Sequence, residues 1–269
     1  MTTSVAEGTR HPTALIDPEA RLGVGVHVGP YAVIRAGVEV GDQSTIGAFV
    51  SLGEPTAEAY AAAGRRYEQR PCRIGSGAMV RSHCVIYEGT TIGDDFQSGH
   101  HVTIREGTTI GASFRAGTMC DIQDGVRVGD HVRFHSSVFV ARGTTIGDFV
   151  WLFPSVTLTN DPHPPSDTCT QGPTIGRFAA VGARATLLAG VSLGEHCVIG
   201  AGAVVTRDVP EAMLAVGVPA RIVGPASETL CKHGRLERVY PWPLHFRRGY
   251  PEGALDVGDF TDVERADGV

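Results

Sequence analysis

Residues 134–167 read FHSSVFVARGTTIGDFVWLFPSVTLTNDPHPPSD and hold side chains able to move a proton: His135 near the start, then Asn160, Asp161 and His163 among prolines. An imidazole with an ordinary pKa of about 6.5 accepts or gives a proton at neutral pH, which suits a general base. Asn and Asp beside Pro also build loop turns, so Asn160 and Pro162, Pro164 and Pro165 have a structural reading as turn former and stiffeners. His100, His101 and His131 are metal-ligand types, and six cysteines stand at 72, 84, 120, 169, 197 and 231. The cysteines form no CxxC pair and no tight cluster, so neither a zinc knuckle nor a disulfide framework is expected.

The scaffold that positions these residues is written in the rest of the chain. Its 269 residues are 42% hydrophobic and 19% charged, the balance of a folded globular protein rather than a disordered one. A net charge of −6 argues against a nucleic-acid binder, because neutralising phosphates takes a surplus of Lys and Arg. No apolar run approaches the length of a membrane span, and the first 20 residues lack the pattern of a signal peptide. A cytoplasmic location is expected, with no membrane partner.

Glycine contributes 35 residues and aromatics only 7%, so the core must be built from small and branched side chains in a regular order. The order has a period of six. It runs Ile16, Leu22, Val28, Ile34, Val40, Ile46, Leu52, resumes at Ile74, and continues through Val80, Ile86, Ile92, Ser98, Ile104, Ile110, Ala116, Ile122, Val128, Phe134, Val140, Ile146, Leu152 and Leu158. A last block holds Ile175, Val181, Leu187, Leu193, Ile199 and Val205. Only Ser98 is polar. Glycine often follows, as in Ile46-Gly47 and Ile146-Gly147, and is read as supplying backbone freedom at a corner. Helices need a period of 3.6 and simple strands a period of 2, so neither template fits.

Two interruptions break the register. Residues 53–73 contain AEAYAAAGRR, which has the composition of a short helix, and residues 159–174 are too rich in Pro, Asp and Asn to remain a strand. Both are expected to project as loops. Residues 1–12 are read as an N-terminal tail, 13–208 as the repeat domain, and 209–269 as a cap and C-terminal extension covering the open end or a neighbouring subunit. Cys84, Cys120 and Cys197 sit two places before a series position, where Ser44 and Ala78 also occur, and are read as small core residues.

The hexad series resembles the hexapeptide repeat of the left-handed parallel β-helix. That implies an all-β fold of about nine coils, three hexads to a coil, with two projecting loops. The ending VTRDVPEAMLAVGVPARIVG resembles the hexapeptide acyltransferases, trimeric enzymes that take an acyl group from coenzyme A. VIYEGTTIG, GHHVTIREGTTIG, CDIQDGVRVG and FVWLFPSVTLTNDPHPPSD are similar to the branch that N-acylates amino sugars on nucleotide carriers. The resemblance implies a homotrimer with sites between subunits, acetyl-CoA or another acyl-CoA as co-substrate, no metal, and a nucleotide-sugar acceptor.

Carried over residue by residue, the resemblance makes His135 the base or amine orienter and Asp161 its partner at the amine. The family's acidic position, seven residues after the histidine, is Arg142 here, a cation that cannot accept a proton. Arg142 is therefore expected to bind an anion of substrate or to pair with Asp161. His163-Pro164 resembles the loop histidine of sugar O-acetyltransferases and is the alternative base. Substrate contacts are expected from Asn160, His100, His101 and Arg105. The coenzyme is expected along Gly182, Ala183, Gly200 and Ala201, with Arg207 and Arg221 at its phosphates. The γ-class carbonic anhydrases share the β-helix and bind zinc through histidines five apart in sequence. His131 and His135 are four apart, so no shared ion is expected. Two other readings remain: an O-acetyltransferase using His163, and a non-enzymatic β-helix assembly module.

Overall fold

The computed structural model describes residues 8–62, 67, 69–165, 168–233 and 239–240. Each residue of the six-residue series lies in its own short strand, from Leu15–Ile16 to Val204–Val205. All of them are buried except Ile16 and Leu22 in the open first coil, which are half-buried. The strands stack into three parallel ladders in which a residue pairs with the one 18 positions on, as Ile104 does with Ile122. Eighteen is three hexads, so one coil visits three faces of a prism. The chain is a left-handed parallel β-helix.

The first face begins with Leu15–Ile16, the second with Arg21–Leu22 and the third with His27–Val28, and they hold ten, nine and eleven strands. The expectation of about nine coils is therefore slightly short, because the chain continues beyond the last hexad. Met213–Val216 adds to the third face opposite Val198 and Ile199, and Arg221–Pro225 pairs antiparallel with it. With that reversal of chain direction the stacking of parallel coils stops. At the other end Arg10 bridges Val28.

Three edges join the faces. The edge from third to first face carries His135 and is called the histidine edge. The edge from first to second carries both interruptions and is called the loop edge. In the first interruption Ser51 pairs with Val85, and Ala57–Ala62 is helical; in the second Thr145 pairs with Thr174. Apart from Gly53, whose φ is 75° at the start of the first loop, the glycines that follow series residues are not there for backbone freedom. Gly47 and Gly93 have ordinary φ, and a Cβ on either would come within 2.8 Å of a backbone nitrogen of the next coil. Close approach selects them. The left-handed φ falls two residues later. Glycine takes it on most of the loop edge, but Tyr31, Phe49, His83 and His101 take it on the histidine edge.

The inward pattern changes size in mid-helix. Ser98 and Ala116 are small where other coils carry Ile, Leu, Val or, at Phe134, Phe, and the volume is returned two residues earlier by Phe96 and Phe114, both fully buried. Their rings stack at 5.8 Å, and Phe114 meets Phe134 edge-on at 4.9 Å. The Ser98 hydroxyl accepts the Arg81 backbone N–H at 2.8 Å, so its polarity is satisfied. Phe114→Ala is expected to cost about 3–5 kcal/mol in urea unfolding. Adding Ala116→Ile should recover part of that loss, whereas Ala116→Ile alone should overpack the coil. Cys72, Cys84, Cys120 and Cys197 are buried core residues, and burial pushes the Cys72 thiol up to about 12.

Candidate active site

The prism sorts the candidate residues by edge. His100, His101, His135, Gly182, Ala183, Gly200 and Ala201 all fall on the histidine edge, where they form one column along the axis. Arg105, Arg142, Asn160, Asp161, His163 and Arg207 fall on the loop edge. Arg221, in the terminal antiparallel strand, lines a cleft of about 220 Å³ together with Arg207, Asp208 and Ala220.

His135 begins the corner after the strand Arg133–Phe134 and is exposed, as its place after an inward residue requires. Its backbone N–H donates to the Leu152 carbonyl at 2.8 Å, and its carbonyl lies 3.1 Å from Cys120 Sγ, which fixes the main chain from both neighbouring coils. The imidazole stacks on Phe153 at 4.8 Å and lies 6.1 Å from Trp151. Among the described residues no side chain hydrogen-bonds to its ring nitrogens. Ring contacts hold the imidazole of this exposed residue in place.

Burial and, secondarily, the Arg133 charge lower the His135 pKa. Both causes disfavour the imidazolium. A base must be neutral to accept a proton, so the acid limb of kcat/KM is expected below the ordinary histidine range. Arg133→Gln should move that limb upward, without reaching the ordinary value because burial remains. A pH profile of the two proteins checks the direction; an unmoved limb would exclude His135 as the titrating group.

On the loop edge, Asp161 Oδ1 accepts the His163 backbone N–H at 2.9 Å, and the Asn160 carbonyl accepts the Gln171 N–H at 2.8 Å. The first pair is an Asx turn made by the Asp161 side chain, and the second, through the Asn160 main chain, closes the neck of the loop. His163 is exposed. Arg142 does not pair with Asp161. Its Nε lies 2.9 Å from Asp124 Oδ2, one coil earlier on the same edge. The reason is the 18-residue rise: corners at 88, 106, 124 and 142 stack directly, so Arg142 meets Asp124 as the next rung of an otherwise acidic column of Glu88, Glu106 and Asp124. Arg142 remains mostly exposed and keeps donors for an anion.

Arg105 is engaged locally, with Nε 2.7 Å from Glu106 and its guanidinium 5.0 Å from the Tyr87 ring centroid. His100 Nδ1 lies 2.8 Å from Ser82 Oγ, and His101 stacks on His83 at 4.7 Å. His131 lies on a different edge from His135, stacked on Phe149 at 4.9 Å, so the two cannot share an ion. Among the described residues no three potential ligands converge on a metal. No helix of the described residues is long and apolar enough to cross a membrane.

Within one chain the whole first face separates His135 from Asp161. Sequence reasoning missed the neighbours of each site: Phe153, Trp151 and Arg133 around His135, and Asp124 at Arg142. Counting 18 residues forward from His135 or back from Arg142 finds Phe153 and Asp124. Tyr240, in the C-terminal extension, packs against the cluster of Phe149, Phe178 and Ala180 beside Trp151. Residues 234–238 and 241–269 of that extension lie outside the described residues.

Residues 19–54 and 172–207 match the bacterial transferase hexapeptide (six repeats) family. Over 50 residues the chain is 48% identical to the dTDP-3-amino-3,6-dideoxy-alpha-D-galactopyranose 3-N-acetyltransferase of Aneurinibacillus thermoaerophilus, covering 19% of this chain and 26% of that one. Over 77 residues it is 35% identical to the galactoside O-acetyltransferase of Escherichia coli K12, covering 26% of this chain and 38% of the relative. These matches span well under half of either relative. Among solved structures, a UDP-N-acetylglucosamine O-acyltransferase of Moraxella catarrhalis RH4 superposes with a TM-score of 0.54 at 21% identity, over 81% of this chain and 75% of that one. At that identity the likeness concerns the fold.

Proposed function

We propose that this chain, which belongs to the hexapeptide-repeat transferases, moves an acyl group, acetyl first among them, from coenzyme A to the amino group of a nucleotide-linked amino sugar. The observation that carries this is the histidine edge: an outward imidazole, braced by Phe153, on the same edge as the small residues Gly182, Ala183, Gly200 and Ala201. Small residues let a pantetheine arm lie close to the prism, and the arm's thioester then ends near a base of lowered pKa. His135 accepts the proton as the amine attacks the thioester carbonyl, and the coenzyme leaves as its thiol. The enzyme is a homotrimer in which the histidine edge of one subunit faces the loop edge of the next, bringing Asp161 to the amine. Arg207 and Arg221 take the coenzyme phosphates. Arg142, Asn160, His100, His101 and Arg105 line the acceptor side.

The local identity to an N-acetyltransferase acting on a dTDP-linked amino sugar supports the acceptor class. The local identity to galactoside O-acetyltransferase, with exposed His163 in the loop, favours a second reading in which a hydroxyl is acylated. Thiol release from acetyl-CoA with aminated nucleotide sugars separates them. His163→Ala should retain turnover on the amine, whereas under the second reading it alone abolishes transfer. A protein that binds no coenzyme A in calorimetry would be an assembly module.

A further inference from the structure

Beside His135, on the third face, lies a recess of about 360 Å³ lined by Arg81, Gln97, Arg115, Arg133 and Trp151. Gln97, Arg115, Arg133 and Trp151 are direct neighbours in successive parallel strands, so their side chains project from one face in a row. Arg81 enters from the adjoining edge, with Nη1 2.5 Å from the Ser98 carbonyl, and Arg133 lies over the Trp151 ring at 5.4 Å. Arg115 stands directly opposite Arg133, one strand spacing away. Three guanidinium groups around one cavity form a fork-shaped donor set suited to phosphate oxygens.

We propose that Arg81, Arg115 and Arg133 bind the diphosphate of a nucleoside-diphosphate-linked acceptor and thereby set its amine at His135. This rests on the acyl-transfer reading above and assigns the acceptor's anionic group a place within it. Position decides between acceptor and donor. The glycine and alanine positions proposed for the coenzyme lie on the C-terminal side of His135, whereas the arginine row runs from its coil toward the N-terminus. Coils are about 4.8 Å apart, so an anion between Arg133 and Arg115 lies within about 5 Å along the axis from the imidazole, on the scale of one hexose between its amine and its glycosidic phosphate, and Arg81 reaches the same recess from three coils away. The lowered His135 pKa has Arg133 among its causes, so an anion bound there also makes the base stronger as the acceptor arrives.

Calorimetric titration of the full-length protein with dTDP and UDP in one arm and coenzyme A in the other tests this. Arg115→Gln and Arg133→Gln are each expected to weaken nucleoside-diphosphate binding about tenfold to a hundredfold, with a smaller loss for Arg133→Lys and unchanged affinity for coenzyme A. Wild-type protein that binds neither nucleotide, or variants that bind them as wild type does, would overturn the assignment, and so would a loss confined to coenzyme A. The two proposals fail separately. Arginine-dependent nucleotide binding without any acyl transfer refutes the acyl-transfer reading and leaves the anion site. Transfer to amines that needs no diphosphate refutes the anion site and leaves the reading. Unchanged melting temperatures ensure that lost affinity reports the recess.

Discussion

His135→Gln is expected to lower kcat for amine acetylation by about 10²- to 10⁴-fold, the range for removing a general base. Glutamine keeps a similar size and a hydrogen-bonding end, so the corner's backbone bonds to Leu152 and Cys120 survive. Its amide cannot take up a proton. The melting temperature should stay near that of the wild type, because the imbalance is chemical: an exposed ring is lost from the edge of a core that closes beneath it at Phe134. Acetyl-CoA affinity should also persist, since the small residues of the coenzyme column are untouched. The informative comparison is pH dependence. If His135 is the base, the residual activity of the glutamine variant loses the acid limb seen in the wild type. A variant that keeps both turnover and limb would move the base elsewhere, His163 first.

Asp161→Ala is expected to lower turnover by about tenfold to a hundredfold, on the scale of a charge-assisted hydrogen bond worth about 1.5–3 kcal/mol. Part of that loss comes from the Asx turn to His163, so Asp161→Asn, which can keep the turn, separates loop shape from charge. The larger effect appears when chains are mixed. Because the first face separates His135 from Asp161 within one chain, a shared site must draw them from two subunits. Trimers assembled from equal amounts of His135→Ala and Asp161→Ala chains should regain about one quarter of wild-type activity, since each cyclic interface has about one chance in four of joining an intact histidine to an intact aspartate. Each chain alone keeps only its own reduced turnover, below that of the mixture. Mixed trimers with no recovered activity would place the two residues in separate roles.

The fold was legible because a prism with three faces forces a period no helix or simple sheet can produce. The strands fall on the very residues of the series, and the two irregularities in register are the two projecting loops. What the series hid was compensation between neighbours. Ser98 and Ala116 look like defects until Phe96 and Phe114 are seen filling the same layers. Corner glycines were visible, but their cause was misread, because steric approach between coils is a contact across 18 or more residues and leaves no local trace. The site was legible only in part for the same reason. His135 could be placed outward from its neighbour Phe134, but its ring support comes from Phe153 one coil away. Arg142 looked anomalous beside Asp161, yet its partner is Asp124, found only by counting a full coil back. The arginine row escaped notice because Arg115 and Arg133 sit in separate hexads and become neighbours only when the coils stack.

Mass spectrometry of the product formed from acetyl-CoA and an aminated nucleoside-diphosphate sugar tests the central claim most directly. The account predicts a mass gain of one acetyl group on the sugar, release of one free thiol per product, and a bond stable to hydroxylamine, as an amide is. A hydroxylamine-labile ester on the sugar, or no thiol release with any aminated nucleotide sugar, would contradict it.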